Sequence, residues 1–175
     1  MWRFPVKSLQ GEQVDSVCAT AQGLQGDRRF AIFDVGTGFG LTARRAPELL
    51  FAAATWRSDG SVAITLPDGR TAGDDAALSA WLGRPVALRS TTTAVSRRYE
   101  NPADFEREST GRWQPFDGSR GTFHDSPGAA ISLSSTATIG EWPRRRFRTN
   151  VVFEGADEDE LLGGQVVVGD ALHAA

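Results

Sequence analysis

Along the first ninety residues, apolar and polar positions alternate in short runs broken by Gly and Asp, the signature of strands joined by turns. The runs are Gln13 to Val17, Arg29 to Asp34, Ala52 to Arg57 and Val62 to Leu66. Two Asp-Gly pairs, Asp59-Gly60 and Asp68-Gly69, flank the last of them and predict a hairpin turn on each side of one strand. One clear helix follows. Asp74 and Asp75 can cap it, Ala76 to Leu82 supply helix formers and an apolar face, and Gly83 with Pro85 stops it. From Thr91 to Gly121 no period is sustained, which reads as a long polar excursion. Beyond it the pattern predicts a strand Ala129 to Leu133, a short helix from Ser134 or Ser135 to about Trp142, and a strand Asn150 to Glu154. A helical turn over Asp157 to Leu162, a strand Gln165 to Val168 and a turn at Gly169-Asp170 complete the chain, with His173 in a frayed end.

A chain of 175 residues has room for one ordinary domain or two small ones sharing an interface. With 40% hydrophobic and 23% charged residues it has a globular composition. The net charge of -3 argues against nucleic acid or a membrane surface as a partner, so any anion site must be local. Cys18 is the only cysteine, which excludes an internal disulfide or an all-cysteine metal site within one chain. The opening segment has no apolar core of a signal peptide, and Leu49 to Thr55, the longest apolar stretch, is far below the roughly 20 residues of a membrane helix. The expectation is a cytoplasmic protein.

The candidate chemistry is cationic. Lys7 is the single lysine among nineteen basic side chains, which hints at a position that wants a compact ammonium rather than a planar fork. It lies in PVKS, Pro5 to Ser8, while GDRRF, Gly26 to Phe30, brings Arg28 beside a tight turn; together they can bind phosphate or carboxylate. The plainer alternative has Asp27 simply pairing with Arg28 or Arg29 on the surface. In LTARR, a strand would put Thr42 and Arg44 on one face. In PRRRFRTN, Pro143 to Asn150, a strand would put Arg146 and Arg148 on one face with Phe147 buried behind, while the acidic run Asp157 to Glu160 offsets part of the charge. His124 and Asp125, with serines nearby, invite a hydrolase reading, but there is no G-x-S-x-G elbow. Two His and one Cys give no zinc spacing, so a metal would be held by a cofactor rather than by side chains.

Taken in order, WRFPVKSLQGE, GLQGDRRFAIFD, LTARRAPELL, FHDSPGAAISLSS and RRFRTNVVFEG resemble the MOSC family, in the branch with an N-terminal MOSC β-barrel domain and the YcbX and amidoxime-reducing proteins. The resemblance implies a mainly β, β-rich α+β fold with few short helices. An N-terminal barrel over residues 1–90 would pack on a partial MOSC β-barrel domain over 91–175. It also implies that Lys7, Ser8, Arg28, Thr42, Arg44, Arg148 and Asn150 surround the pterin and phosphate of a molybdenum cofactor (molybdopterin); pyridoxal phosphate binding is likewise associated with the group. The implied activity is oxidoreductase-type reduction of N-hydroxylated or related small molecules, with a ferredoxin- or flavin-type electron donor. The alternatives are a non-catalytic module binding the cofactor or another phosphorylated ligand, and an inactive truncated product. Thr149 stands where the family motif has Pro. In the family the metal-ligating Cys follows a strand like GQVVVGDAL, beyond Ala175 here, so the expectation is an incomplete second domain whose strand Gln165 to Val168 is left as an open edge. Cys18 does not match that position.

Overall fold

The computed structural model describes residues 1–94, 97–109, 111–125, 128, 130–155, 158–164, 166–168 and 172–174. Its strands are short: β1 (Trp2–Arg3), β2 (Glu12–Gln13), β3 (Ala19–Thr20), β4 (Gly23–Leu24), β5 (Phe30–Asp34), β6 (Ala53–Trp56), β7 (Val62–Thr65) and β8 (Thr71–Ala72). Helix α1 (Asp75–Leu82) is followed by β9 (Val86–Ser90), β10 (Arg98–Pro102), β11 (Trp113–Asp117) and β12 (Leu133–Ser135). Helix α2 (Thr136–Ile139), β13 (Val151–Phe153), β14 (Val166–Val168) and β15 (Leu172–Ala174) complete the order. The protein is mainly β.

The N-terminal part is a barrel assembled from small ladders. β5 pairs antiparallel with β9, and β6, β7 and β8 form a meander whose two turns hold the Asp-Gly pairs, as the sequence predicts. Single bridges stitch these ladders together: Val6 to Phe30, Gln10 to Ala53 and Phe33 to Gly40. Inside lies a core of Val6, Leu9, Ile32, Leu49, Ala52 and Ile64, each no more than 2% exposed. Helix α1 adds the buried Leu78 to this core. Its N-cap Asp74 accepts a hydrogen bond from the Ala77 N–H at 2.8 Å, and Gly83 ends it in the left-handed conformation.

Several expectations change. The excursion Thr91 to Gly121 contains the hairpin β10–β11, in register from Arg98 opposite Asp117 to Pro102 opposite Trp113. The sequence hides it because β10 reads RYENP, in which only Tyr99 and Pro102 are buried. LTARR is a turn, not a strand: the Thr42 carbonyl accepts from the N–H groups of both Arg45 and Ala46. PRRRFRTN is a 3-10 turn over Arg144–Arg146 followed by irregular chain, so Arg146 and Arg148 share no strand face. The strand expected at Ala129 to Leu133 is β12, further along and parallel to β13, and α2 stops early at Gly140. Gln13 to Val17 shortens to β2, Asp157 to Leu162 becomes a 3-10 turn over Glu158–Leu161, and Glu158 accepts from Ser135 N and Thr138 Oγ1. Ala129, Asp157, Gln165 and the turn Gly169-Asp170 lie outside the described residues. β14 pairs with β15, so one edge of the strand expected to stand open is covered, and His173 sits opposite Val167 in a ladder rather than in a frayed end. Cys18 is exposed and lies just before β3.

Tyr99 joins the hairpin to the barrel, fully buried against Phe33, Phe116 and Phe123. Its ring fits because two glycines leave room at its edges. A Cβ on Gly40 would lie 2.2 Å from Tyr99 Cε1, and one on Gly118 would lie 2.6 Å from Cε2. Gly40→Ala is therefore expected to cost about 2 kcal/mol of stability through forced overpacking. Gly73→Ala, with open space around the site, should stay within about 0.5 kcal/mol of wild type. Urea denaturation of both variants checks the contrast.

Candidate functional site

The PVKS segment runs beside the start of β5: Lys7 N donates to the Phe30 carbonyl at 2.8 Å, and Phe30 N donates to the Pro5 carbonyl at 3.0 Å. GDR enters the same place from the other side, since Arg28 N donates to the Phe4 carbonyl at 2.7 Å. The chain after the 3-10 turn arrives third, with Trp2 N donating to the Asn150 carbonyl at 2.7 Å. These backbone bonds bring Lys7, Arg28 and Arg148 to one cavity of about 620 Å³. Ser8, Thr42 and Arg44 also line it, with Asp125, Asn101, Phe105 and Phe116 completing the wall.

Of the side chains expected at a site, only Asn150 is not on this wall. It is 1% exposed, and its amide works from behind. Nδ2 donates to the Trp2 carbonyl and to Asp27 Oδ1, while Oδ1 accepts from Ser132 and from Arg28. Arg44 is the least committed member, since it is 43% exposed, pairs with Glu108 at 2.7 Å and lies 5.0 Å over the Phe105 ring. Ser8 Oγ accepts from the Ala43 N–H at 3.0 Å and so pins the Thr42–Arg45 turn to the cavity rim. Sequence reasoning missed Asp125, Phe105 and Phe116. The only signal for Asp125 was its place beside His124, which pointed to hydrolysis.

The electrostatics are strained in one direction. Lys7 is 4% exposed, lies 4.6 Å over the Tyr99 ring, donates to the Phe123 carbonyl at 3.2 Å and pairs with the exposed Asp125 carboxylate. Burial pulls its pKa down, Asp125 opposes that, and Arg148 and Arg28 push further down. Burial, followed by repulsion from Arg28, takes Arg148 down to about 9. Arg28 pairs with the fully buried Asp27 and donates to the Arg148 carbonyl at 3.1 Å. Both guanidinium groups also lie over the Phe4 ring, at 5.1 and 5.2 Å. The backbone is strained at the same place. Among the described residues the only non-glycine positions with positive φ are Ser8 at 68°, Arg28 at 46° and Arg148 at 38°. Left-handed backbone costs such residues roughly 1–3 kcal/mol and clusters where side-chain aim matters.

Among the described residues no group of three or more His, Cys, Asp or Glu is placed to hold a metal ion, and no helix is long and apolar enough to cross a membrane. Fold and cavity together define a β-barrel protein whose wall opens onto a crowded cluster of cations. The model of the MOSC N-terminal beta barrel domain matches residues 1–105, more than half of the chain, and the chain belongs to that family. The match takes in β10 and so runs past residue 90, the expected end of the first domain. No curated protein matches the chain.

Proposed function

We propose that the cavity binds a dianionic phosphate, and that the phosphate is the one carried by the pterin of the molybdenum cofactor. The observation that carries this reading is the convergence of Lys7, Arg28 and Arg148 on one cavity, where burial and repulsion weigh on Lys7 and Arg148 and the carboxylates of Asp125 and Asp27 offset only two of the three cations. An anion relieves that strain, and three cationic donors match the acceptor oxygens of a phosphate. Phe105 and Phe116 on the same wall offer flat apolar surface to a heterocycle. The donor set therefore fits a phosphorylated ring compound, and membership of the MOSC family favours the molybdenum cofactor among such compounds.

When bound, the cofactor supplies the two-electron redox chemistry, in the reduction of N-hydroxylated or related small molecules with electrons from a partner protein. The chain's residues bind and orient. Lys7, Arg28 and Arg148 hold the phosphate, Ser8 fixes the Thr42 turn against it, and Asn150 with Asp27 aims Arg28. The amidoxime-reducing branch is the best reading within the family, and a location in the cytoplasm goes with it.

Arg148→Ala is expected to weaken binding of inorganic phosphate by about 1.5–3 kcal/mol, tenfold to a hundredfold, because a desolvated charge-assisted contact is lost. Arg144→Ala should cost at most about 1 kcal/mol, since Arg144 is exposed and lies outside the cavity. Calorimetric titration of the full chain tests the pair, and equal losses would count against the assignment. The finer reading is tested by expressing the chain in cells that make the cofactor and assaying co-purified pterin. Wild type should carry it and Lys7→Ala should not. Phosphate binding without any pterin would leave an anion site and remove the cofactor.

A further inference from the structure

The segment after α2 has two sides. Arg148 faces the cationic cavity, whereas Arg144, Phe147 and Thr149 line a separate pocket of about 260 Å³. Phe4 belongs to the wall of this second pocket while its ring carries Arg28 and Arg148, so one aromatic side chain stands between the two spaces. Ile139, from α2, and Val152, from β13, supply much of the remaining wall. Phe4 and Ile139 are each 4% exposed, so this is interior apolar surface rather than an open face.

The mouth differs from the wall. Arg144 is exposed, is the one charged side chain lining this pocket, and among the described residues its guanidinium has no carboxylate partner. An apolar cavity of about 150 Å³ holds one benzene ring. A pocket of 260 Å³ therefore takes a single ring, or a branched chain of similar size, with a short arm. An unpaired guanidinium at the entrance selects an arm that ends in a carboxylate.

We propose that this pocket is a second small-molecule site, distinct from the cationic cavity, for an aryl or branched-alkyl monocarboxylate. The apolar body packs on Phe4, Phe147, Ile139 and Val152, and the carboxylate pairs with Arg144. The phosphate site is not needed for this, because the two cavities share no charged side chain.

The test uses 3-phenylpropionate and its neutral amide as probes of the full chain, followed by titration calorimetry and by NMR shifts assigned to side-chain methyl and ring protons. The acid should bind about tenfold more tightly than the amide, with shifts at Ile139 and Phe147, and inorganic phosphate should not displace it. Arg144→Gln should remove the preference for the acid while leaving the amide unchanged. Val152→Phe, which fills the pocket, should abolish both if its thermal melt shows a folded protein; Phe147→Ala, which widens it, keeps the question answerable otherwise by shifting preference toward a larger ring. Absence of saturable binding, equal binding of acid and amide to wild type, or displacement of the acid by phosphate would each overturn the proposal. The last outcome would put the carboxylate on Lys7, Arg28 and Arg148 instead.

Discussion

Replacing Asp27 by alanine is expected to cost about 3–5 kcal/mol of folding stability, the range for stripping a buried charge of its partner. Asp27 is fully buried and accepts from the Phe4 N–H at 2.6 Å, from Asn150 Nδ2 at 3.1 Å and from the Arg28 guanidinium. Alanine leaves the Phe4 N–H unanswered, takes one of the two acceptors of Asn150 Nδ2, and strips Arg28 of its carboxylate while Arg148 and Lys7 line the same cavity. Asp27→Asn should cost less, since the amide oxygen still accepts from Phe4 N and Asn150 Nδ2, while the charge and the acceptor for Arg28 are lost. A further consequence separates this account from simple core damage. With Asp27 gone, the cavity is more positive, so saturating phosphate should stabilise Asp27→Asn by more than it stabilises wild type. Urea denaturation with and without phosphate measures both effects. A loss under about 1 kcal/mol for Asp27→Ala would show that the buried pair does not hold the motif together.

How much of this was legible in the sequence depended on whether the information was local. Helix α1 was, because its caps Asp74 and Gly83 and its apolar positions sit within one short stretch. So were the turns at Asp59-Gly60 and Asp68-Gly69, where residue type dictates backbone geometry. Hairpin β10–β11 was not, because its one essential buried ring, Tyr99, is surrounded by Arg98, Glu100 and Asn101, and the space for it is made by Gly40 and Gly118 far away in sequence. LTARR carries no turn residue where the chain bends, and in PRRRFRTN only Pro143 marks the start of the 3-10 turn, so alternation suggested strands. The true determinants there are tertiary, notably Ser8 Oγ holding Ala43 N.

The candidate site shows the same division. The cationic side chains at Lys7, Arg28 and Arg148 could be singled out by type and motif, but not the left-handed backbone that aims them, since no rule of residue preference puts Ser or Arg at positive φ. Asn150 could be singled out too, yet it bonds to Asp27 and Arg28 from behind the wall. A motif residue can thus act on a ligand through another side chain, and only the hydrogen-bond network distinguishes the two.

The protein is expected to lose stability as the pH falls from 6.5 toward 4, and His124 is the reason. Its side chain is 5% exposed, and Nε2 has no hydrogen-bond partner, with Asp27 Oδ2 3.9 Å away. Burial lowers its pKa to about 4, Arg28 and Lys7 lower it too, and Asp27 and Asp125 oppose them. In the unfolded chain the same imidazole titrates near 6.5. Above 6.5 it is neutral in both states and contributes no pH dependence. Between 6.5 and 4 the unfolded chain takes up the proton and the native one does not, so native stability falls by about 1.4 kcal/mol per pH unit over most of that range, about 3 kcal/mol in all. Below 4 both states are protonated and the contribution levels off. His124→Leu should flatten the profile between pH 6.5 and 5 by about 2 kcal/mol, a window that largely avoids exposed carboxylates. Equal slopes for wild type and variant, or a His124 ring proton titrating near 6.5 in the folded protein, would contradict this. The same proton also reports on the cavity. Arg28 and Lys7 hold the pKa down, so an anion that neutralises them must raise it, and phosphate should move the His124 titration upward in wild type and much less in Lys7→Ala.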